Sequence, residues 1–164
     1  MTGYSSLCAR CAGLGETCCQ NSQVFLTVGD VRRIARAINA ASGFFEEVAA
    51  ADPNYLTGDG IDPVWNRIFD RKGYRRILAF QAEGKCFFLG TNGCRLSLEI
   101  RPLVCRLYPY DYNHIAIKGV YGHRCPEPER NSPALILACL SMNREKAESW
   151  RQKLYAEIRE EFPD

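Results

Sequence analysis

Cysteine placement constrains this chain more than any other feature of its sequence. Eight of its nine cysteines recur in an ordered pattern drawn from distant segments: Cys8, Cys11, Cys18, Cys19, Cys86, Cys94, Cys105 and Cys125. Thiolates gathered from distant segments are ligands for soft metals, and a reducing compartment disfavours disulfides. The pattern therefore predicts zinc or iron–sulfur binding in preference to a disulfide scaffold.

The length and composition are typical of one globular domain. We predict a single domain over residues 1–164, long enough to bury about 70% of the surface that the unfolded chain exposes. A hydrophobic share of 46% and a charged share of 24% argue against disorder and membrane insertion. The first ten residues lack the charged start and apolar run of a secretory signal, so we expect a cytoplasmic protein.

The first forty residues divide into two parts. Residues 1–23 show neither helical nor strand periodicity and are predicted to form an irregular, cysteine-rich arm. After this arm, Thr27 and Asp30 have the spacing of a capping box, and apolar residues follow at helical spacing. This pattern predicts a helix over about 28–40.

The central segments predict short helices and strands. Ser42 is placed to cap a second helix over Phe44–Ala51, and Pro63 suits the first turn of another short helix. Two short strands are predicted over Ile77–Gln81 and Cys86–Leu89, on either side of a glycine-containing turn. Helices and hairpins are therefore expected to alternate here.

The C-terminal part is predicted to be mainly helical. Asn92-Gly93 marks a tight turn before Cys94, and residues 114–121 alternate as a strand does. Residues of about 132–161 then carry an apolar stripe that predicts one bent helix or two consecutive helices, with Cys139 packed in the core. Together these segments predict a small α+β fold organised around a metal site.

Spacing within the first cysteines predicts how metals are shared. Cys8 and Cys11 can converge on one metal across a tight turn, as in zinc knuckles and in iron–sulfur proteins. Cys18 and Cys19 are adjacent, and neighbouring side chains in an extended segment point to opposite faces. We therefore expect two metal sites or one enlarged site, whereas spacing alone leaves zinc and iron open.

One long motif resembles a known family. The stretch CFFLGTNGCRLSLEIRPLVCRLYPY, with the N-terminal CxxC and CC and a later Cys125-Pro126, closely resembles the YkgJ-type cysteine-cluster family of zinc- or iron-chelating proteins. The likeness covers most of residues 8–126, and the tail after about residue 130 matches less sharply. The gap between Cys11 and Cys18 is longer than in the most compact form of the family's opening motif.

The resemblance implies a ligand set and a cofactor. It assigns chelating positions to Cys8, Cys11, Cys18, Cys19, Cys86, Cys94, Cys105 and Cys125. The flagellin lysine methylases share this cysteine module, which implies a [4Fe-4S] cluster and a role in methyl transfer.

Three residues of the motif are predicted to support the cofactor. Arg101 and Arg106 flank Cys105 and could donate to a cluster's sulfurs or to a carboxylate behind a ligand loop. Tyr108 is placed to shield the site from water. The alternatives are a structural salt bridge for Arg101 and ordinary core packing for Tyr108.

Other polar residues give weaker signals. His114 and His123 are interpreted as exposed histidines, and Asp111 and Glu99 as solvated charges, so no catalytic residue is identified. The basic run over 71–76 is interpreted as a charged surface turn, which disfavours a nucleic-acid partner.

Three functions are compatible with these features. The first is an iron–sulfur protein used for redox chemistry or for a modification reaction, which would bring a protein substrate. The second is a zinc module whose metal orders the fold while its surface binds a partner. The third is a thiol redox protein using Cys8 and Cys11, which leaves six further cysteines unexplained.

Overall fold

The computed structural model describes residues 7–14, 17, 19–50, 62–120, 134, 137, 138, 140 and 142–164, with the backbone alone at 7, 8 and 14. Within these ranges the helices are α1 (Leu7–Leu14), α2 (Val28–Ile38), α3 (Leu103–Leu107) and α4 (Arg144–Glu161). The strands are β1 (Phe45–Ala49), β2 (Tyr74–Leu78), β3 (Leu89–Gly90), β4 (Gly93–Cys94), β5 (Tyr110–Tyr112) and β6 (Ile117–Val120). They pair in sequence order as three antiparallel two-stranded sheets, so the described part is a small α+β fold.

Helix α2 begins where its capping box predicts. The Thr27 hydroxyl accepts a hydrogen bond from the Asp30 N–H at 2.9 Å, and the Asp30 carboxylate accepts one from the Thr27 N–H. At the other end Asn39 takes the left-handed conformation, with φ at 52°, and its N–H donates to the Ala35 carbonyl. Both ends are therefore specified by local side-chain and backbone chemistry.

The prediction of an irregular N-terminal arm is wrong for residues 7–14, which form α1. Leucine, alanine and arginine in this segment favour a helix, although eight residues are too few for a stable helix in isolation. Tertiary packing supplies the missing stabilisation, because α1 lies against β4 and Cys11 is only 8% exposed. Residues 20–23 are non-helical, as predicted, and Gln20 forms a single bridge with Lys85.

The predicted helix over Phe44–Ala51 is also wrong, because residues 45–49 form strand β1. This strand pairs with β2, with Phe45 opposite Leu78 and Ala49 opposite Tyr74. Ser42 lies in a bend and caps no helix. The partner strand is distant in sequence, so no local pattern reveals it, and its ladder of hydrogen bonds outweighs local helix preference.

The two strands predicted over Ile77–Gln81 and Cys86–Leu89 are shifted. Strand β2 starts earlier, at Tyr74, and pairs with β1, so only one bridge, between Phe80 and Cys86, joins the two predicted segments. The turn between them is present as a 3-10 helix over Ala82–Gly84. The tight turn predicted just before Cys94 is present but lies one residue earlier, over Thr91 and Asn92, because Gly93 is already the first residue of β4.

The C-terminal helical region comprises two segments. Residues 134, 137 and 138 are helical, 142 and 143 are not, and α4 then begins at Arg144. The Asn143 side chain caps α4 by accepting a hydrogen bond from the Lys146 N–H at 2.8 Å. This fits the two-helix alternative, while Ser132, Pro133 and Cys139 lie outside the described residues.

The remaining predicted elements are found close to their expected positions. A 3-10 helix over Trp65–Ile68 follows Pro63, and β6 falls within the strand predicted over 114–121. None of the helices in the described ranges is long and apolar enough to cross a bilayer.

Two apolar clusters form the core. The larger joins α3, α4 and the 3-10 helix over Trp65–Ile68, and its residues Leu103, Leu107 and Leu154 are fully buried. The smaller surrounds Ile34 of α2 and includes Cys86, with Cys19 and Cys94 packed against it. The cysteine segments are therefore part of the packed interior.

Candidate metal centre

One cavity of about 300 Å³ collects the predicted ligands. It is lined by all five of them whose side chains the structure describes: Cys11, Cys19, Cys86, Cys94 and Cys105. Cys8 is described only as backbone in α1, and Cys18 and Cys125 lie outside the described residues. Segments separated by as many as 94 positions, from 11 to 105, therefore meet at one place.

Backbone hydrogen bonds bring three of these cysteines together. The Cys86 N–H donates to the Cys19 carbonyl at 2.8 Å, which fixes the N-terminal segment beside the central one. The β3–β4 hairpin then places Leu89 opposite Cys94. These backbone contacts thus hold the segments of Cys19, Cys86 and Cys94 close together.

Cys105 reaches the cavity on helix α3, which is anchored to α2. The Leu103 N–H at the start of α3 donates to an Asp30 carboxylate oxygen at 3.1 Å. Asp30 is fully buried, and its other carboxylate oxygen closes the capping box of α2. The sequence predicted Asp30 only as a cap, because nothing local points to a partner 73 positions away.

Burial favours the protonated form of three cavity thiols, those of Cys86, Cys94 and Cys105. It raises the pKa of Cys86 to about 11 and also raises the pKa values of Cys94 and Cys105. Electrostatic interaction with Cys19 adds to the increase in all three, which shows that these four side chains are neighbours. Thiols of this kind are poor nucleophiles until a metal displaces their protons.

The three predicted supporting residues also line the cavity. The Arg101 Nε donates to the Leu96 carbonyl at 3.0 Å, and its hydrogen bond and charge act to lower the pKa of Cys94 against the effect of burial. Arg106 is 4% exposed and donates to the backbone carbonyls of Glu99 and Arg101, both at 2.7 Å. Arg106 therefore holds the loop that precedes α3.

Tyr108 is half-buried at the cavity wall, after the end of α3. Its position is compatible both with shielding the site and with core packing. Glu99, interpreted as a solvated charge, has a side chain that is 76% exposed, and its carboxylate also lies 3.9 Å from the Arg106 guanidinium. The roles of Arg101, Arg106 and Tyr108 towards a bound group stay predictions.

The histidines contribute nothing to the described cavity lining. His114, expected to be exposed, is half-buried, and its Nδ1 lies 3.1 Å from an Asp62 carboxylate oxygen. Asp62 also accepts hydrogen bonds from the Tyr155 hydroxyl and from the His114 N–H. This contact is structural, because Asp62 joins the 3-10 helix, the β5–β6 connection and α4. His123 lies outside the described residues.

The donor chemistry fits a soft metal, while a coordination geometry is not formed. Within residues 7–14, 17, 19–50, 62–120 and 142–164, no three cysteine, histidine or acidic side chains are arranged as a metal site. This finding concerns five of the eight predicted ligands. The structure thus shows convergence of thiols on a cavity, and the ligand set itself stays a prediction.

The fold and the cavity define a small α+β protein with a cysteine-lined interior site. The chain belongs to the CxxCxxCC family, described as a "putative zinc- or iron-chelating domain", whose sequence model matches residues 7–133. This confirms the resemblance in the cysteine motif and supports metal chelation, while α4 lies beyond the match. No curated protein and no solved structure gives a significant match to the chain.

Proposed function

We propose that the protein binds an iron–sulfur cluster of the [4Fe-4S] type and uses it for redox chemistry or for a modification reaction such as methyl transfer. The observation that carries the proposal is the meeting of five cysteines on one cavity of about 300 Å³. A structural zinc site is closed around one ion, with Zn–S distances of about 2.3 Å, so a roomy cysteine-lined cavity favours a larger group. The volume corresponds to roughly ten water molecules in the liquid.

The side chains around the cavity have the properties that a cluster site needs. Leu78, Phe88 and Leu96 give it an apolar wall. Arg101 and the buried Arg106 bring positive charge to a place where thiolates would bring negative charge. When bound, an iron–sulfur cluster supplies one-electron chemistry, and these surroundings would set its potential.

The proposed ligand set exceeds the needs of one cluster. A [4Fe-4S] cluster takes four cysteine ligands, and eight are available if Cys8, Cys18 and Cys125 join the five at the cavity. We therefore retain the hypothesis of two centres or one enlarged centre. The adjacent Cys18 and Cys19 would then deliver thiolates to different metals.

Zinc is the second candidate, because the family description names it beside iron. In that case the metal would hold α1 and the segment around Cys19 against the β3–β4 hairpin, and the outer surface would bind a partner. A structural zinc ion contributes about 10–16 kcal/mol of apparent binding free energy, which is ample to order a short N-terminal segment.

One experiment separates these candidates. Anaerobically purified protein is analysed for iron, zinc and acid-labile sulfide, and its absorption spectrum is recorded. The proposal predicts brown protein with iron and sulfide in equal amounts. Colourless protein that releases zinc on acid treatment would support the alternative, and protein without either metal would refute both.

A further inference from the structure

The side-chain amide of Gln81 donates hydrogen bonds to three backbone carbonyls of the segment Cys86–Leu89. Its Nε2 donates to the carbonyl oxygens of Cys86 at 2.8 Å, Phe87 at 2.9 Å and Leu89 at 3.0 Å. The Gln81 backbone N–H also donates to the Lys85 carbonyl at 2.7 Å. Gln81 therefore donates hydrogen bonds to four backbone carbonyls between residues 85 and 89.

We propose that Gln81 is the positioning residue for the Cys86 thiol, holding the Cys86–Leu89 segment in the shape that directs this thiol into the cavity. The expected effect of Gln81 on metal binding rests on the function proposed above. The expected effect of Gln81 on the shape of the segment does not, because the contacts behind it all lie within the protein.

The amide and carbonyl groups of the segment are held by different partners. The N–H groups of Cys86 and Phe87 donate to the backbone carbonyls of Cys19 and Ala79, at 2.8 and 2.9 Å. The carbonyls of Cys86, Phe87 and Leu89 all point towards the Gln81 amide instead. Carbonyl dipoles that converge on one point repel one another unless a donor lies between them.

Other contacts to these carbonyls are fewer. Arg95 donates to the Phe87 carbonyl at 2.5 Å, and the Leu89 N–H donates to the Cys86 carbonyl at 2.9 Å. Each of these groups reaches only one of the three, whereas Gln81 reaches all of them. Among these groups, Gln81 is therefore the one that links all three carbonyls of the segment.

Gln81 can be changed without disturbing the core. Its side chain is exposed, while the Cys86 side chain that it positions is only 8% exposed and lines the cavity. Gln81→Glu keeps the size of the side chain but replaces the donor by an oxygen that the three carbonyls repel. Gln81→Ala removes the donor without introducing charge.

The test uses metal-free, reduced protein and measures the alkylation rate of each cysteine by mass spectrometry at one fixed pH. We expect Cys86 to react about tenfold faster in Gln81→Glu and severalfold faster in Gln81→Ala. Cys105, held on α3, should stay within about twofold of its original rate. Gln152→Glu makes the same exposed substitution on α4, where Gln152 contacts Glu148, and should leave Cys86 unchanged.

Two results would overturn the proposal. Either Cys86 reacts at the same rate in the original protein and in both Gln81 variants, or every cysteine accelerates together, which would make Gln81 a residue of general stability.

Metal loading gives a separate readout. We expect about tenfold weaker metal binding in Gln81→Glu, with unchanged binding in Gln152→Glu. If the original protein binds no metal, the function proposed above fails, and the alkylation rates alone still decide the role of Gln81.

Discussion

Two regions of this protein bury ionisable groups, and they compensate the cost of that burial in different ways. Between α2 and α4, a charge network of Thr27, Asp30, Arg33 and Glu157 pairs its groups with one another, and Arg33 contacts Asp30 at 2.7 Å and Glu157 at 2.5 Å. In the cysteine cavity, thiols are buried beside other thiols and an apolar wall. In the first region the charged groups are paired within the protein, and in the second the thiols line a cavity with room for a ligand.

The pKa values of the two regions express this difference. Burial acts to raise the pKa of Glu157, but hydrogen bonds from Arg33 and Thr27 outweigh it and the pKa is lowered. Around Cys105, burial raises the pKa and the neighbouring thiols raise it further. The network therefore stabilises the charge of Glu157, although burial still raises the pKa of Asp30. At Cys86, Cys94 and Cys105 burial is the largest effect and favours the protonated thiol until a metal brings positive charge.

The two regions meet at α3, because Asp30 binds the helix that carries Cys105. Damage to the network should therefore appear as lost folding stability. Damage to the cavity should appear as lost metal binding.

The largest effect is expected for Asp30→Ala. Removing this carboxylate leaves Arg33 without one partner and the Leu103 N–H without its acceptor, so we expect a loss of about 3–5 kcal/mol in the free energy of unfolding. Urea denaturation of metal-free protein measures it. Glu46→Ala, an exposed substitution on β1, should cost at most about 0.5 kcal/mol. Similar losses in both variants would contradict the importance of the network.

The second-largest effect is expected in the cysteine cavity, where a substitution should reduce metal binding. We expect Cys105→Ala to weaken metal binding by more than about a hundredfold, because a ligand matters at least as much as the residues that support one. Cys139→Ala removes the one cysteine not assigned as a ligand and should retain the metal. Metal content and titration of apo protein measure both, and equal losses would show that cysteine number, not position, governs binding.

A smaller effect is expected for Gly29→Ala, which places a methyl group against the Glu157 carboxylate of the network. A Cβ at Gly29 would clash with the carboxylate of Glu157, so this side chain must move away from Thr27 and Arg33. We expect a loss of about 1–3 kcal/mol in thermal or urea unfolding. Gly13→Ala in α1 meets nothing within 4 Å and should be neutral or slightly stabilising, so a loss there as large as at Gly29 would exclude this explanation.

The smallest effect tests an ion pair outside both regions, between the buried Arg151 and the more exposed Glu148. A hydrogen bond from Arg151 lowers the pKa of Glu148 from 4.5 to about 2. Because the folded pKa lies below the unfolded value, this pair stabilises the protein above pH 4.5 and its contribution is lost as the pH falls towards 2. Glu148→Gln should slightly flatten the pH dependence of the urea midpoint in that range, compared with exposed Glu160→Gln. A steeper dependence would contradict the assignment.

Features that depend on near neighbours were predictable from the sequence. The capping box of α2 and the tight turn before Cys94 follow from residue types and short spacings. Helix α1 and strand β1 were not predictable in this way, because β4 stabilises one and β2 the other. The role of Asp30 as the anchor of α3 was not predictable either, because its partner Leu103 is remote in sequence.

By itself the sequence determined the donor chemistry of this protein: thiols in number and order suited to a soft metal. Only the tertiary structure decided that five of them face one cavity, that Gln81 holds the segment of Cys86, and that Asp30 holds the helix of Cys105. The physical reason is that side-chain identity fixes which bonds a group can form. The partner it finds depends on long-range packing and on backbone hydrogen bonds that no short stretch of chain encodes.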